Sequence, residues 1–163
     1  MNETFPPRGR LTPLSLPENR EFFLRCYAET WRIAHGDLRG FREEYIYDMY
    51  LRRWEREPES LLGLWLGEEL TALLALDSSR GEKLLWISFL HVAELHRREG
   101  LGTALLEAAA REARRLGRQE LQLCTARHNP ALRFFERQGF RIVGREQGAV
   151  EPLLRLGKSL RQE

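Results

Sequence analysis

The sequence predicts a mixed α/β domain in the order β–α–α–β–β–β–α–β–α–β–β. Three observations carry that reading. Residues 17–58 repeat their apolar side chains at helical spacing. From Ser60 the pattern changes to short apolar runs separated by turn signals, which read as strands. After glycines at positions 100 and 102, two further helical stretches alternate with strands. With 163 residues, 42% of them hydrophobic and 31% charged, a single domain over 1–163 with its own core is the expectation.

The elements follow in order. "RLTPLSL" (10–16) reads as a first strand, which Pro13 confines to an edge or an irregular end. Pro17 and Glu18 open a helix that carries Phe22, Cys26 and Ile33 at helical spacing and stops at Gly36. A second helix, "FREEYIYDMYLRRWERE", places Phe41, Tyr45, Met49 and Arg52 on one stripe and closes before Pro58. "SLLGLWLGEELTALLALDSS" is two apolar runs around "GEE", a hairpin. "EKLLWISFLHVAEL" is a longer strand after the turn "SSRG". "GTALLEAAAREARRLG" is a helix with Leu105, Ala109, Ala113 and Leu116 on one face and Gly117 as its stop. "ELQLCTA" is a strand, and "NPALRFFERQG" is a helix with Asn129 as N-cap and Pro130 at the first helical position. "FRIVGRE" and "VEPLLRLGKSL" supply the closing strands.

Charge and composition exclude several classes. A formal net charge of +2 creates no whole-protein field for nucleic acid. The basic run "REARRLGR" lies opposite the Leu/Ala stripe and is diluted by Glu107 and Glu112, so it reads as a solvated face. The two cysteines, Cys26 and Cys124, lack metal-ligand spacing, and no metal is expected. They fit a reduced, cytoplasmic setting. "MNETFPPRGR" has no signal-peptide core, and no apolar run approaches the roughly 20 residues of a membrane helix.

"HRREGLGTALL" (96–106) sits between a strand ending near Val92 and a helix. Two readings fit its glycines. One is a tight strand-to-helix turn. The other is a phosphate cradle: helix N-terminal amides lack partners, the macrodipole is positive there, and glycine admits an anion close to the backbone. The phosphate loop of ATPases is absent, and Leu105 stands where a dinucleotide fingerprint would need its third glycine.

"LHVAELHRREGLG" resembles the signature of the GNAT superfamily of acyl-CoA-dependent N-acyltransferases, in which a strand with a Leu-x-Val-like end leads into Arg/Gln-x-x-Gly-x-Gly/Ala. The matching residues are Leu90 and Val92, then Arg97, Gly100 and Gly102. The family's second signature is matched in "NPALRFFERQGF" by Asn129, Ala131, Phe134, Phe135, Gly139 and Phe140. The two signatures cover about residues 84–143, in the family's order and spacing.

The resemblance implies a mostly antiparallel central sheet of about six to seven strands flanked by about four helices. It implies acetyl-CoA as cosubstrate, with its pyrophosphate on the loop Arg97, Arg98, Glu99, Gly100, Leu101, Gly102 and Thr103. The strand before the loop splays from its neighbour, so that backbone at Leu90 to Val92 pairs with the pantetheine arm. Asn129 caps its helix, alone or while also bonding the pantetheine, and Phe135 lies close to the sulfur. A backbone N–H near Val92 is the implied oxyanion donor. Two departures stand out. Phe135 occupies a position that is often Tyr in the family, and Trp86 stands where some members have a carboxylate.

Trp31, His35, Asp37, Glu43, Glu44, Tyr45 and Tyr47 fall where the family builds its acceptor pocket; the alternative is core packing and solvated charge. Trp31, His35, Tyr45 and Tyr47 are the acceptor-binding candidates. Glu44, Tyr47 and His128 are candidates for proton transfer. His91 alternates with Leu90 and Val92 and points to the opposite face, and Cys124 reads as core. The expected function is transfer of acetyl from acetyl-CoA to a primary amine of a small molecule, peptide or protein. The alternative is a catalytically silent acyl-CoA sensor or scaffold of the same fold. Neither nucleic acid nor membrane is an expected partner, and a homodimer is compatible with the resemblance.

Overall fold

The computed structural model describes residues 9–97 and 99–161. Among these residues seven strands form one sheet: β1 (Gly9–Pro13), β2 (Leu61–Leu66), β3 (Glu69–Asp77), β4 (Leu84–Val92), β5 (Glu120–Ala126), β6 (Arg141–Glu146) and β7 (Leu153–Ser159), in spatial order β1-β2-β3-β4-β5-β7-β6. Every neighbouring pair is antiparallel except β4 and β5. Pro13 ends the edge strand β1, as its missing N–H requires. The β2–β3 hairpin turns through Gly67, whose φ of 62° is one that glycine adopts without penalty.

Helices cover both faces. On one face α3 (Leu101–Arg115) and α4 (Ala131–Arg137) close a core of Leu74, Leu85, Ile87, Leu121 and Leu156. Leu105, Ala109 and Ala113 are fully buried in it, as their spacing predicts. Gly117 (φ 73°) ends α3 with bonds from its own N–H to Arg114 O (3.0 Å) and from Arg118 N–H to Ala113 O (2.7 Å), a Schellman stop. Leu116 lies in that stop and is exposed, so it does not continue the buried stripe.

On the other face α1 (Arg20–His35) and α2 (Glu43–Arg56) pack Phe23, Leu24, Cys26 and Ile46 onto Leu73, Ala75 and Phe89. Two expected stripes shift here. In α1 the anchor is Phe23, set edge-on to Phe89 at 5.8 Å, while Ile33 is exposed. In α2 the inward line is Ile46, Tyr50 and Trp54; Tyr45 and Met49 face solvent, 59% and 46% exposed. The reason is that burying Tyr50 and Trp54 costs no unpaired donor. The Tyr50 hydroxyl donates to Ser88 O (2.9 Å) and the Trp54 indole N–H to Leu14 O (3.0 Å).

Candidate active site at the split between β4 and β5

The parallel pair β4–β5 holds for three rungs, Leu84↔Glu120, Leu85↔Leu121 and Trp86↔Gln122, and then opens. Beyond Trp86, β4 stays with β3 and β5 stays with β7. A bulge drives the parting: Ala75 faces Phe89 and Leu76 faces Ile87, so Ser88 is the extra residue, and its carbonyl goes to Tyr50. Ala93 donates to Thr71 O at 2.8 Å, which sets the phase of the ladder. By the alternation of an antiparallel pair, the backbone groups of Leu90 and Val92 then face the opening.

The strand leads through a 3-10 turn (Glu94–His96) to the N-terminus of α3. Gly100 precedes the helix with φ 80° and ψ 8°, a left-handed conformation that favours glycine. Ala104 N–H reaches Gly100 O at 3.1 Å, and among the described residues the amides of Leu101, Gly102 and Thr103 have no acceptor. Gly102 has a second reason to lack a side chain: a Cβ there would lie 3.1 Å from the Phe134 ring of α4. Leu101 is anchored in the core, and the Thr103 hydroxyl accepts from Gln138 Nε2 at 3.2 Å. Glu99 is exposed beside His96, whose Nε2 lies 3.1 Å from Glu69; Glu69 and Glu99 push its pKa up. Arg98 lies outside the described residues.

Arg97 does not extend toward the helix N-terminus. Its Nε donates to Val92 O at 3.1 Å and its Nη2 to Glu29 Oε1 on α1. The other Glu29 oxygen is 3.7 Å from His91 Nε2. His91 does point away from Leu90 and Val92. It is buried (4% exposed), stacks on Phe89 and places Nδ1 2.7 Å from Thr30 Oγ1. Burial pulls its pKa down to about 4 against the attraction of Glu29. Glu29 was not legible as a site residue. The available signal was a carboxylate three residues after the buried Cys26, hence near the inward face of α1.

The α1–α2 and β6–β7 loops meet beside this network. His35 Nδ1 is 3.6 Å from Glu151 Oε1, and a Cβ on Gly40 would lie 3.0 Å from Val150. Trp31 stacks edge-on with His35 (4.9 Å), its indole N–H already given to Arg39 O (3.0 Å). Tyr45 and Glu44 are exposed on the first turn of α2. Tyr47 lies under the Arg20 guanidinium (4.8 Å), at the start of α1. Thr30 is ten residues further on, about 15 Å along the helix.

Asn129 Oδ1 accepts from Ala131 N at 2.9 Å, which is the capping bond. His128 is exposed in the turn after β5. Phe135 is buried between Phe134 and Phe140, at 5.4 and 5.7 Å. Trp86 stands on the last closed rung with Arg80 over its ring at 4.1 Å. Burial pushes the Cys26 and Cys124 thiols up to about 12 and about 11, so both stay protonated and are poor nucleophiles. No helix among the described residues is long and apolar enough to cross a membrane.

A family model described as "Acetyltransferase (GNAT) family" matches residues 16–140. No curated protein matches the chain. Among solved structures, Ard1 from Thermoplasma volcanium superposes with a TM-score of 0.75 at 19% identity, over 95% of this chain and 99% of that one. PaiA N-acetyltransferase from Thermoplasma acidophilum in complex with coenzyme A gives 0.66 at 17% identity, over 93% and 98%. YncA from Salmonella typhimurium, with its cofactor acetyl-CoA, gives 0.66 at 17% identity, over 95% of each chain. At these identities the likeness shows the fold.

Proposed function

The chain belongs to the acetyltransferase (GNAT) family, and on that premise we propose that it transfers an acetyl group from acetyl-CoA to a primary amine in the cytoplasm. The observation that carries the proposal is the split itself. A β4 edge without a strand partner at Leu90 and Val92 leads into a helix whose first amides have no acceptor among the described residues. An extended arm with two amides and a pyrophosphate at its end matches that sequence of groups.

In this reading the pantetheine arm adds to β4 along Leu90 and Val92. The pyrophosphate meets the amides from Glu99 to Thr103, and Arg98 of the same motif supplies a cation. Asn129 and Phe135 border the arm from α4. Arg97 is already spent on Val92 O and Glu29, and acts as a strut between the loop and α1. The Val92 N–H stabilises the oxyanion that forms when the amine attacks. A thiol has a pKa of about 8.5, so the sulfur leaves without an obligatory acid, and Phe135 is no obstacle. The acceptor comes from the α1–α2 side, past Trp31 and His35. Its amine belongs to a small molecule, a peptide or a protein.

The test is acetyl transfer across a panel of primary amines: a polyamine, an amino sugar, a lysyl peptide and a peptide with a free N-terminus. Turnover of at least one, with CoA released in step, is expected. Acetyl-CoA binding without turnover of any amine would favour the silent sensor instead.

A further inference from the structure

Resting on the acetyltransfer reading, we propose that Glu29 is the catalytic residue that takes the proton from the acceptor's ammonium.

Four observations converge on this carboxylate. α1 packs against both β4 and β5, so Glu29 belongs to the element that spans the split on the acceptor side. One guanidinium, that of Arg97, separates Glu29 Oε1 from the carbonyl of Val92, the residue whose N–H is the oxyanion donor. The second oxygen, Oε2, faces His91 Nε2 at 3.7 Å, beyond a hydrogen bond, and so retains acceptor capacity. Finally, the side chain is 28% exposed, enough for an amine to reach it.

The Arg97 guanidinium holds Glu29 Oε1 and leaves Oε2 toward His91. Among the described residues, the charged and titratable groups facing Glu29 are Arg97 from the loop, His91 from β4 and Cys26 from its own helix. Cys26 is a protonated thiol, and His91, held low by burial, is neutral near pH 7. The tautomer of His91 that accepts the Thr30 hydroxyl at Nδ1 carries its proton on Nε2, directed at Glu29. His91 is thus a positioning residue. Its low pKa makes it a weaker base than its place suggests, and His128 is exposed beyond β5.

The ammonium gives one proton to the Glu29 carboxylate. The freed nitrogen pair forms the C–N bond to the acetyl carbon, and the C–S bond breaks with its pair leaving on sulfur. The second proton lost by nitrogen ends on the thiolate, giving the thiol, and Glu29 returns its proton to water. No oxidant or further reactant is needed.

The experiment uses the full chain, Glu29→Gln and Glu29→Asp, with acetyl-CoA and an amine that the panel identifies, from pH 6 to 10. Acetyl-CoA affinity is read by calorimetry and kcat is separated from KM. Glu29→Gln should bind acetyl-CoA within about threefold of the parent yet lose about a hundredfold or more in kcat near pH 7. That loss should shrink as pH rises toward the amine's own pKa, where solution supplies the free base. Glu29→Asp should retain more activity than Glu29→Gln. A Glu29→Gln enzyme within threefold of the parent at pH 7 would overturn the assignment, as would a deficit equal at every pH or a matching loss of acetyl-CoA affinity. Each of those results leaves acetyl transfer itself standing. A parent that binds acetyl-CoA and acetylates no amine would overturn both.

Discussion

His91 is buried between α1 and β4 with one ring nitrogen on Thr30 and the other turned to Glu29. Its pKa is lowered from 6.5 to about 4, chiefly by burial, with Arg97 adding to the effect and Glu29 opposing it. The consequence for stability has a definite sign. Between pH 6.5 and 4 the unfolded chain binds a proton at His91 that the folded chain refuses, so stability falls as pH drops through that window. The full effect is about 3 kcal/mol, levelling off once the folded form also protonates. Urea unfolding at pH 7, 5 and 4 should show His91→Gln losing less stability on acidification than the parent. Parallel profiles for the two proteins would show that this imidazole does not titrate as its burial implies. Glu29 and Arg97 show why such residues escape a reading of the chain. Their partnership joins positions 68 apart, and neither type nor local spacing announces it. Arg97 falls in the glycine motif, where a phosphate role is the natural expectation, and its actual partners lie elsewhere.

Among the elements, α3 and α4 meet through Gly102 and Phe134, and here a packing demand and, in the proposed function, a ligand demand fall on one residue. Gly102→Val would push into the ring, at a cost of about 1–3 kcal/mol for an overpacked contact. In the proposed site it would also cover backbone meant for the pyrophosphate. The double variant Gly102→Val, Phe134→Ala separates the two demands. Relief of crowding should recover part of the thermal stability while CoA affinity stays at least tenfold weakened. If the double variant bound CoA as tightly as the parent, packing alone would explain the glycine. The same scale shows what periodicity can resolve. α3 was legible because leucine and alanine at three- and four-residue spacing leave one inward face. The inward face of α2 was not, because Tyr45, Ile46, Tyr47, Met49, Tyr50 and Trp54 offer several apolar stripes. The choice fell to the hydroxyl of Tyr50 and the indole of Trp54, which find carbonyls on β4 and beside β1. The split between β4 and β5 was expected only through the family resemblance. Its physical cause, the bulge at Ser88, depends on strand pairing that local sequence does not encode.

At the scale of the whole molecule, the sheet is covered on both faces and opened at one seam. Helices α3 and α4, on the proposed cofactor side, lie on one face, and α1 and α2, on the proposed acceptor side, on the other. The seam is where the two sides communicate, and Arg97 with Glu29 and His91 spans it. Closed-sheet stability has been given up there, since Leu90 and Val92 leave backbone groups without strand partners. A ligand that pairs those groups should also protect them. Amide hydrogen exchange, measured residue by residue with and without acetyl-CoA at about 100 times its Kd, therefore tests the proposed site most directly. Global exchange alone would slow by the equivalent of about 2.7 kcal/mol. Beyond that shared effect, Val92, Leu101, Gly102 and Thr103 should show added local protection, because the ligand bonds their amides. Acetyl-CoA binding that leaves those four amides exchanging as they do in the free protein would contradict the placement of the cofactor in the split.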